Sequence, residues 1–352
     1  MSDQDGSVPR PTRPAAEAPP GRMPRRALNR AAVLLLTAIS FYFVGPSVLE
    51  VFSSWDQVSQ LDPSWLVLTA ACQVVAFWFL WSLQRLVLRT TRWLPVITSQ
   101  LAGNAFSRVL PGGAATGVAT QYRLLRSAGI STATAGSGMT AAGLLQLGTT
   151  LALPVIALPA VIVGGPAPKS LLNAAWIGAG FFVLLSALAV AVIADDRPLT
   201  WVGRGFDGLR RRAGRSIETP TAQGLLSERT ELKSALGEGW RKATIDAVGR
   251  AAFDFFTLLA ALAAFGSNAR PSLVLLAFAS AQLLGMIPLT PGGVGFVEAG
   301  LTGMLTLAGV SPGDAVSAAL VYRLMSFWIP IPVGLAAGFV HQRRYRNGSS
   351  VA

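Results

Sequence analysis

Charge is the scarcest commodity in this chain. Only 13% of its 352 residues are charged, against 52% hydrophobic, where a soluble domain carries about 25% charged residues. So few charges do not cover the surface of a water-soluble protein of this size, and most of the chain is expected to face lipid. Cysteine and histidine are nearly absent as well. Cys72 is the single cysteine and His341 the single histidine, which excludes an intrachain disulfide and a Cys or Cys/His zinc cluster. Catalysis by a Ser-His-Asp triad has almost nothing to be built from. The expectation is a multi-pass membrane protein, not an enzyme, with no metal and no cofactor.

The charges that are present are uneven. Of 29 Lys and Arg, six fall in the first thirty residues, ten between Asp195 and Lys242, and three near the end. They flank apolar runs, as loops do under the positive-inside rule, and are not spread over a folded polar face as nucleic-acid binding requires. Residues 1–29 are Pro- and Arg-rich and read as a disordered cytoplasmic tail. Six runs are long enough to cross a bilayer: 30–52, 64–88, 132–163, 170–194, 244–267 and 314–341. Pro154, Pro159, Pro330 and Pro332 predict kinks in the third and the sixth.

Two further apolar stretches, 93–128 and 272–309, are each interrupted by Pro-Gly-Gly, at Pro111-Gly112-Gly113 and Pro291-Gly292-Gly293. That triplet ends a helix, and opened backbone at membrane depth is tolerated only inside protein or beside a polar cavity. Both stretches are therefore expected to be re-entrant hairpins. They lie 180 residues apart, and ten of 27 positions are identical between 111–137 and 291–317, including Ala128-Gly129 with Ala308-Gly309 and Ser131 with Ser311. The pattern predicts an internal duplication. The first repeat covers 30–163 and the second 164–341, with a polar insertion at 195–243 and a short tail at 342–352. Three crossings per unit would invert the second copy relative to the first. Under that topology 24 Lys and Arg fall on the inner side and two, Lys169 and Arg270, outside. Both termini are then cytoplasmic, and the membrane is expected to be a bacterial plasma membrane. The fold class that follows is all-α integral membrane, with six transmembrane helices and two re-entrant hairpins in an inverted repeat, the architecture of alternating-access transporters.

Ionisable residues inside a membrane are costly and are functional candidates by default. Asp254 and Arg323 fall near the middle of their runs, and Glu298 follows the second Pro-Gly-Gly. Their counterparts at the 180-residue offset are Val74, Gly143 and Val118, so these charges belong to the second repeat alone. Two readings stand side by side: a buried pair in which Asp254 or Glu298 neutralises Arg323, or a polar path for a head group or for protons. Arg108, Arg123 and Arg126 make the first hairpin cationic and suit a phosphate. Neither Pro-Gly-Gly is followed by Lys-Ser/Thr, so no P-loop is present.

The string Pro291-Gly292-Gly293-Val294-Gly295-Phe296-Val297-Glu298, with Gly309-Val310, Tyr322-Arg323, Pro330, and Asp254 ahead of Ala264-Phe265-Gly266, resembles the lysylphosphatidylglycerol synthase transmembrane family over roughly 30–341. The resemblance implies lipid translocation. In two-domain relatives this region flips aminoacylated phosphatidylglycerol made by a soluble synthase domain, and the present chain is expected to act without one. The first hairpin lacks the glutamate of the second and departs from the commoner family forms. The leading expectation is a flippase-like lipid transporter. Arg108 and Arg123 would attract the head group, and Asp254, Glu298 and Arg323 would line the crossing point. The alternative is a membrane scaffold or regulatory subunit of an envelope lipid- or glycan-modifying complex. A membrane transferase or phosphatase has only Asp195-Asp196 to draw on. Expected partners are membrane lipids and, in the scaffold reading, a separate lipid-modifying enzyme. Homo-oligomerisation is left open by the sequence.

Overall fold

A computed structural model describes residues 62–110, 113–164, 169–197, 200, 230, 237–286 and 295–345. The expected first span at 30–52, most of the 195–243 insertion, the 1–29 tail, residues 346–352, Pro111-Gly112 and Pro291-Gly292-Gly293 lie outside them, while 342–345 of the expected second tail continue the last helix. The described residues form ten α-helices and no strand. In chain order these are α1 (Pro63–Val87), α2 (Trp93–Val109), α3 (Gly113–Ser127), α4 (Thr132–Gly164) and α5 (Lys169–Ala194). They continue with α6 (Trp240–Ala264), α7 (Pro271–Leu284), α8 (Phe296–Leu307), α9 (Pro312–Arg323) and α10 (Pro330–Tyr345). Four runs among them are long and apolar enough to cross a membrane: α1, Thr132–Pro159 of α4, α6, and the continuous stretch Pro312–Tyr345. The burial pattern is that of a lipid-facing protein. Val67, Trp78, Ile156, Leu184, Phe256 and Phe339 point outward, while Asp246, Asp254, Glu298, Arg323 and His341 point in.

The duplication seen in the sequence recurs as hydrogen-bond geometry. At the end of α3 the amides of Ala128, Gly129 and Ile130 donate to the carbonyls of Leu124, Arg126 and Leu125. At the end of α8 those of Ala308, Gly309 and Val310 donate to Met304, Thr306 and Leu305, the same three bonds 180 residues on. Gly129 (φ 86°) and Gly309 (φ 93°) take the left-handed conformation that ends each helix. The buried Ile130 and Val310 then close the turn hydrophobically. Two residues after each glycine a serine starts the next helix: Ser131 Oγ accepts from the Thr134 amide at 3.1 Å, and Ser311 Oγ from the Asp314 amide at 3.2 Å. The Ala-Gly-x-Ser string is thus a helix-stop, helix-start joint used twice.

The repeat-related helices α1 and α6 pack antiparallel. Leu86 lies against Gly239, Ser82 bonds Asp246, and Phe79 packs on Gly249 and Phe253. Their cores are tied by a polar latch in which Ser82 Oγ donates to Asp246 at 2.8 Å and Lys242 Nζ reaches the same carboxylate at 2.9 Å. Asp246 is almost fully buried and was no candidate in the sequence. It falls at the very start of an apolar run, where an acidic residue reads as a flanking charge.

Helices α2 and α3 form an antiparallel hairpin, with Val96 clustered with Leu125 near its open end and Thr116 bonded to the Phe106 carbonyl near its tip. Helices α7 and α8 form a second, with Gly300 against Leu284 and Val297 against Gly285. Each hairpin packs on the closing helix of the other repeat, α2 on α10 and α7 on α4. The α2–α10 contact depends on close backbone approach: a Cβ on Gly334 would strike the Leu101 carbonyl and the Ala105 side chain. His341, 1% exposed, pins the far end. Its Nε2 lies 2.9 Å from the Leu124 carbonyl and its Nδ1 2.6 Å from Thr98 Oγ1, so one ring ties α10 to both helices of the first hairpin.

Helix α4 runs continuously through Pro154 and Pro159. The sixth predicted run, by contrast, changes winding before its prolines: Leu324–Trp328 is a π-helical turn between α9 and α10. Replacing Gly334 by Val is expected to destabilise the protein by about 1–3 kcal/mol through overpacking, seen as a lowered thermal midpoint in detergent. Val333→Ala, on the exposed face one residue away, should leave that midpoint within experimental scatter.

Candidate functional site

Three of the predicted site residues meet in the interior, on elements that the winding defect of the last run holds together. Pro330 has no N–H, so the helical donor for the Ser326 carbonyl is missing, and the π turn closes one residue wider, with the Ile329 amide donating to Leu324 at 2.9 Å. Arg108, at the tip end of α2, supplies the donor missing at Ser326 and reaches the neighbouring carbonyl as well. Its Nη2 donates to the Ser326 carbonyl at 2.9 Å and its Nη1 to the Phe327 carbonyl. The guanidinium also stacks over the Phe327 ring, 4.5 Å from its centroid. Arg108 therefore joins the first hairpin to the broken helix of the second repeat.

Arg323 reaches the same ring, 4.1 Å from the centroid. Its Nε donates to Glu298 Oε1 at 2.7 Å, and both partners are 8% exposed. Glu298 uses its second oxygen at home: Oε2 accepts the Gly295 amide at 2.8 Å, capping α8 where the chain leaves the Pro-Gly-Gly segment. One carboxylate thus shapes the hairpin's re-entry into helix and neutralises the arginine. Arg323 Nη2 is buried and has no acceptor among the described residues.

Asp254 sits beside this pair and belongs to a separate set of contacts. Its Oδ2 accepts from Gln282 Nε2 at 3.2 Å and from Tyr322 Oη at 3.3 Å, so α6, α7 and α9 converge on one carboxylate. Phe278 packs edge-on against Tyr322, with centroids 6.2 Å apart, and fixes its ring. Arg250 lies one helical turn before Asp254 on α6. Of the two acids that the sequence offered as partners for Arg323, the structure selects Glu298. Counting the neighbours of the two clusters, three guanidiniums (Arg108, Arg250 and Arg323) stand against two carboxylates.

Arg123 does not join them. It is exposed on the open end of α3, where its Nε reaches the Ala119 carbonyl at 3.3 Å and its Nη2 the Thr120 hydroxyl at 3.5 Å. The expected grouping of Arg108 with Arg123 and Arg126 does not form. The fifteen residues of α3 carry the two types to opposite ends of the hairpin, with Arg108 at the tip and Arg123 and Arg126 at the open end. The remaining predicted positions, Pro111, Gly112, Pro291, Gly292 and Gly293, lie outside the described residues, and Gly113 opens α3. Sequence reasoning missed Tyr322, Gln282 and Phe327 as members of the site. Tyr322 had a signal, standing beside an intramembrane arginine; Gln282 and Phe327 had none beyond lying in apolar runs. Among the described residues no group of His, Cys, Asp and Glu is placed to hold a metal ion.

The Glu298–Arg323 pair makes a stability prediction. Glu298→Gln strands a buried guanidinium and should cost about 3–5 kcal/mol, whereas Glu298→Gln combined with Arg323→Met removes the stranded charge and should regain most of that loss. Thermal denaturation in detergent of the wild type, the single and the double variant measures it. A double variant no more stable than the single one would show that the pair is not the interaction being lost.

Comparison with known proteins adds to the geometry. The chain resembles two UPF0104 membrane proteins of Methanothermobacter thermautotrophicus. One is 42% identical over 74 residues, 21% of this chain and 22% of that protein. The other is 38% identical over 71 residues, 20% of this chain and 21% of that protein. The match therefore spans about a fifth of these relatives' length. A family model described as the lysylphosphatidylglycerol synthase TM region matches residues 27–334, nearly all of the chain. With its apolar helices and outward-facing hydrophobic side chains, this is a multi-pass membrane protein, and it belongs to the lysylphosphatidylglycerol synthase transmembrane-region family.

Proposed function

We propose that the protein moves a phospholipid or a lipid-linked head group across the bilayer, with the interior cluster of Arg108, Glu298 and Arg323 as the crossing point. The observation that carries this reading is the arginine excess at the meeting of a hairpin tip and a broken helix. A buried guanidinium with one unsatisfied Nη2, beside a second one held only by backbone carbonyls and a ring, is built to accept a phosphate in place of those contacts. The energy to bring a phosphate to that depth would come from exchanging protein partners, since the head group gains the donors that Ser326, Phe327 and Glu298 give up.

The antiparallel packing of α1 on α6, and the exchange of hairpins between repeats, support an inverted arrangement with hairpins entering from opposite faces. The six-span count and the inner-membrane orientation belong to the same proposal, with the basic ends of α1, α3 and α10 on the cytoplasmic side. Single cysteines placed at 110 and 290 in a Cys72→Ala background should then react with membrane-impermeant maleimide from opposite faces of oriented vesicles. Reaction of both from the same face would overturn the inverted arrangement.

Translocation is tested by reconstitution. Proteoliposomes holding short-chain fluorescent phosphatidylglycerol, phosphatidylethanolamine and lipid-linked sugars should show protein-dependent loss of inner-leaflet protection against dithionite. Arg323→Gln and Arg108→Gln should each slow that loss at least tenfold. A wild-type protein that moves none of these probes, although folded by its melting curve, would defeat the proposal.

A further inference from the structure

A cavity of about 610 Å³ opens between α3 and α10 at the basic end of the bundle, away from the interior cluster. Its inner wall is apolar, formed by Phe106 of α2 with Leu335 and Phe339 of α10, and its mouth carries Arg123 and Gln342. From Leu335 to Tyr345, the extent of its lining on α10, the helix rises about 15 Å. That is half of a hydrocarbon core of about 30 Å, the depth of one leaflet. A groove of a leaflet's depth, apolar at Phe106, Leu335 and Phe339 and polar toward Gln342 and Tyr345, has the dimensions of a lipid, not of a free anion.

The charge around the mouth says which lipid. Arg123 is exposed, bonded only through long contacts to its own helix, and paired with no carboxylate among the described residues. Both aromatic side chains at this end hold a further cation on their faces. Arg343 lies 4.1 Å from the Phe339 centroid and Arg92 lies 5.7 Å from the Tyr345 centroid. Tyr345 is in turn held by His341, whose ring is 4.6 Å away, so the wall is fixed to the same histidine that pins α10 to the first hairpin. Three guanidiniums, paired with no carboxylate among the described residues, around the polar end of a leaflet-deep groove complement an anionic phosphodiester on an acyl chain.

We infer that the α3–α10 groove binds an anionic phospholipid, one acyl chain along Phe106, Leu335 and Phe339 and the phosphodiester on Arg123 beside Gln342. The site is distinct from the crossing point and does not require that any lipid cross the membrane. Its occupation would brace the first hairpin against α10, the contact on which Arg108 depends.

The test uses the full-length protein in nanodiscs containing a trace of photoactivatable phosphatidylglycerol or, in parallel, photoactivatable phosphatidylcholine. Labelled peptides are then mapped by mass spectrometry. Peptides carrying Leu124, Leu335 and Phe339 should be labelled at least fivefold more by phosphatidylglycerol than by phosphatidylcholine. Arg123→Glu should abolish that preference. Gln342→Trp, which fills the mouth without changing charge, should lower labelling by both lipids at least fivefold. Arg241→Glu, an exposed arginine of α6 stacked on Trp240, should change labelling less than twofold. Equal labelling by the two lipids, or labelling indifferent to both groove variants, overturns the proposal. So does cross-linking of the groove to residues 1–61 of the chain itself, which would make that segment the occupant.

Discussion

A proline that cannot donate sets the organisation of the interior. In a bilayer no water is available to satisfy a carbonyl that Pro330 leaves without its helical partner. The chain answers in two ways at once: it widens one turn into π geometry, and it draws Arg108 from another hairpin onto the exposed carbonyls. A charged side chain is thereby brought to a depth where it is expensive, and that cost fixes what surrounds it. The Phe327 ring offers a face to two guanidiniums. Glu298 is held where it faces one of them because it caps the helix that follows the second Pro-Gly-Gly.

The joint between helices recurs around this point, and the chemistry does not. The same three backbone bonds and the same serine cap recur 180 residues apart, so both copies stop and restart their helices alike. The positions matching Asp254, Glu298 and Arg323 in the first repeat hold Val74, Val118 and Gly143, and the charged interior is built from one copy plus Arg108 of the other. Symmetry supplies two hairpins that each lean on the opposite repeat, and the substituted charges make one of those junctions polar.

Small residues decide how closely the halves approach. Gly334 lets the α10 backbone rest on Leu101 and Ala105, and Gly249 receives the Phe79 ring between α1 and α6. The latch of Ser82, Lys242 and the buried Asp246 secures the second of these contacts, and His341 secures the first. In each case a polar group is spent on locking two apolar surfaces that have little hydrophobic reason to stay together inside lipid.

Much of this was legible in the chain itself. Helix positions followed from apolar runs, and the matched register of the two Ala-Gly-x-Ser strings pointed to joints of one kind, because these depend on neighbours a few residues away. Intramembrane charge marked Asp254, Glu298 and Arg323 as important for the same local reason: an ionisable group in an apolar run is conspicuous. Partnership was not legible. That Glu298 and not Asp254 meets Arg323, that Arg108 turns inward while Arg123 stays at the rim, and that Asp246 is buried depend on which helix faces cross in space. Two acids in apolar runs are told apart by packing angles, to which glycines and a ring contribute as much as charge does. The chain's own order determined the elements; the tertiary contacts alone decided which charges compensate each other, because pairing depends on which helix faces meet in space.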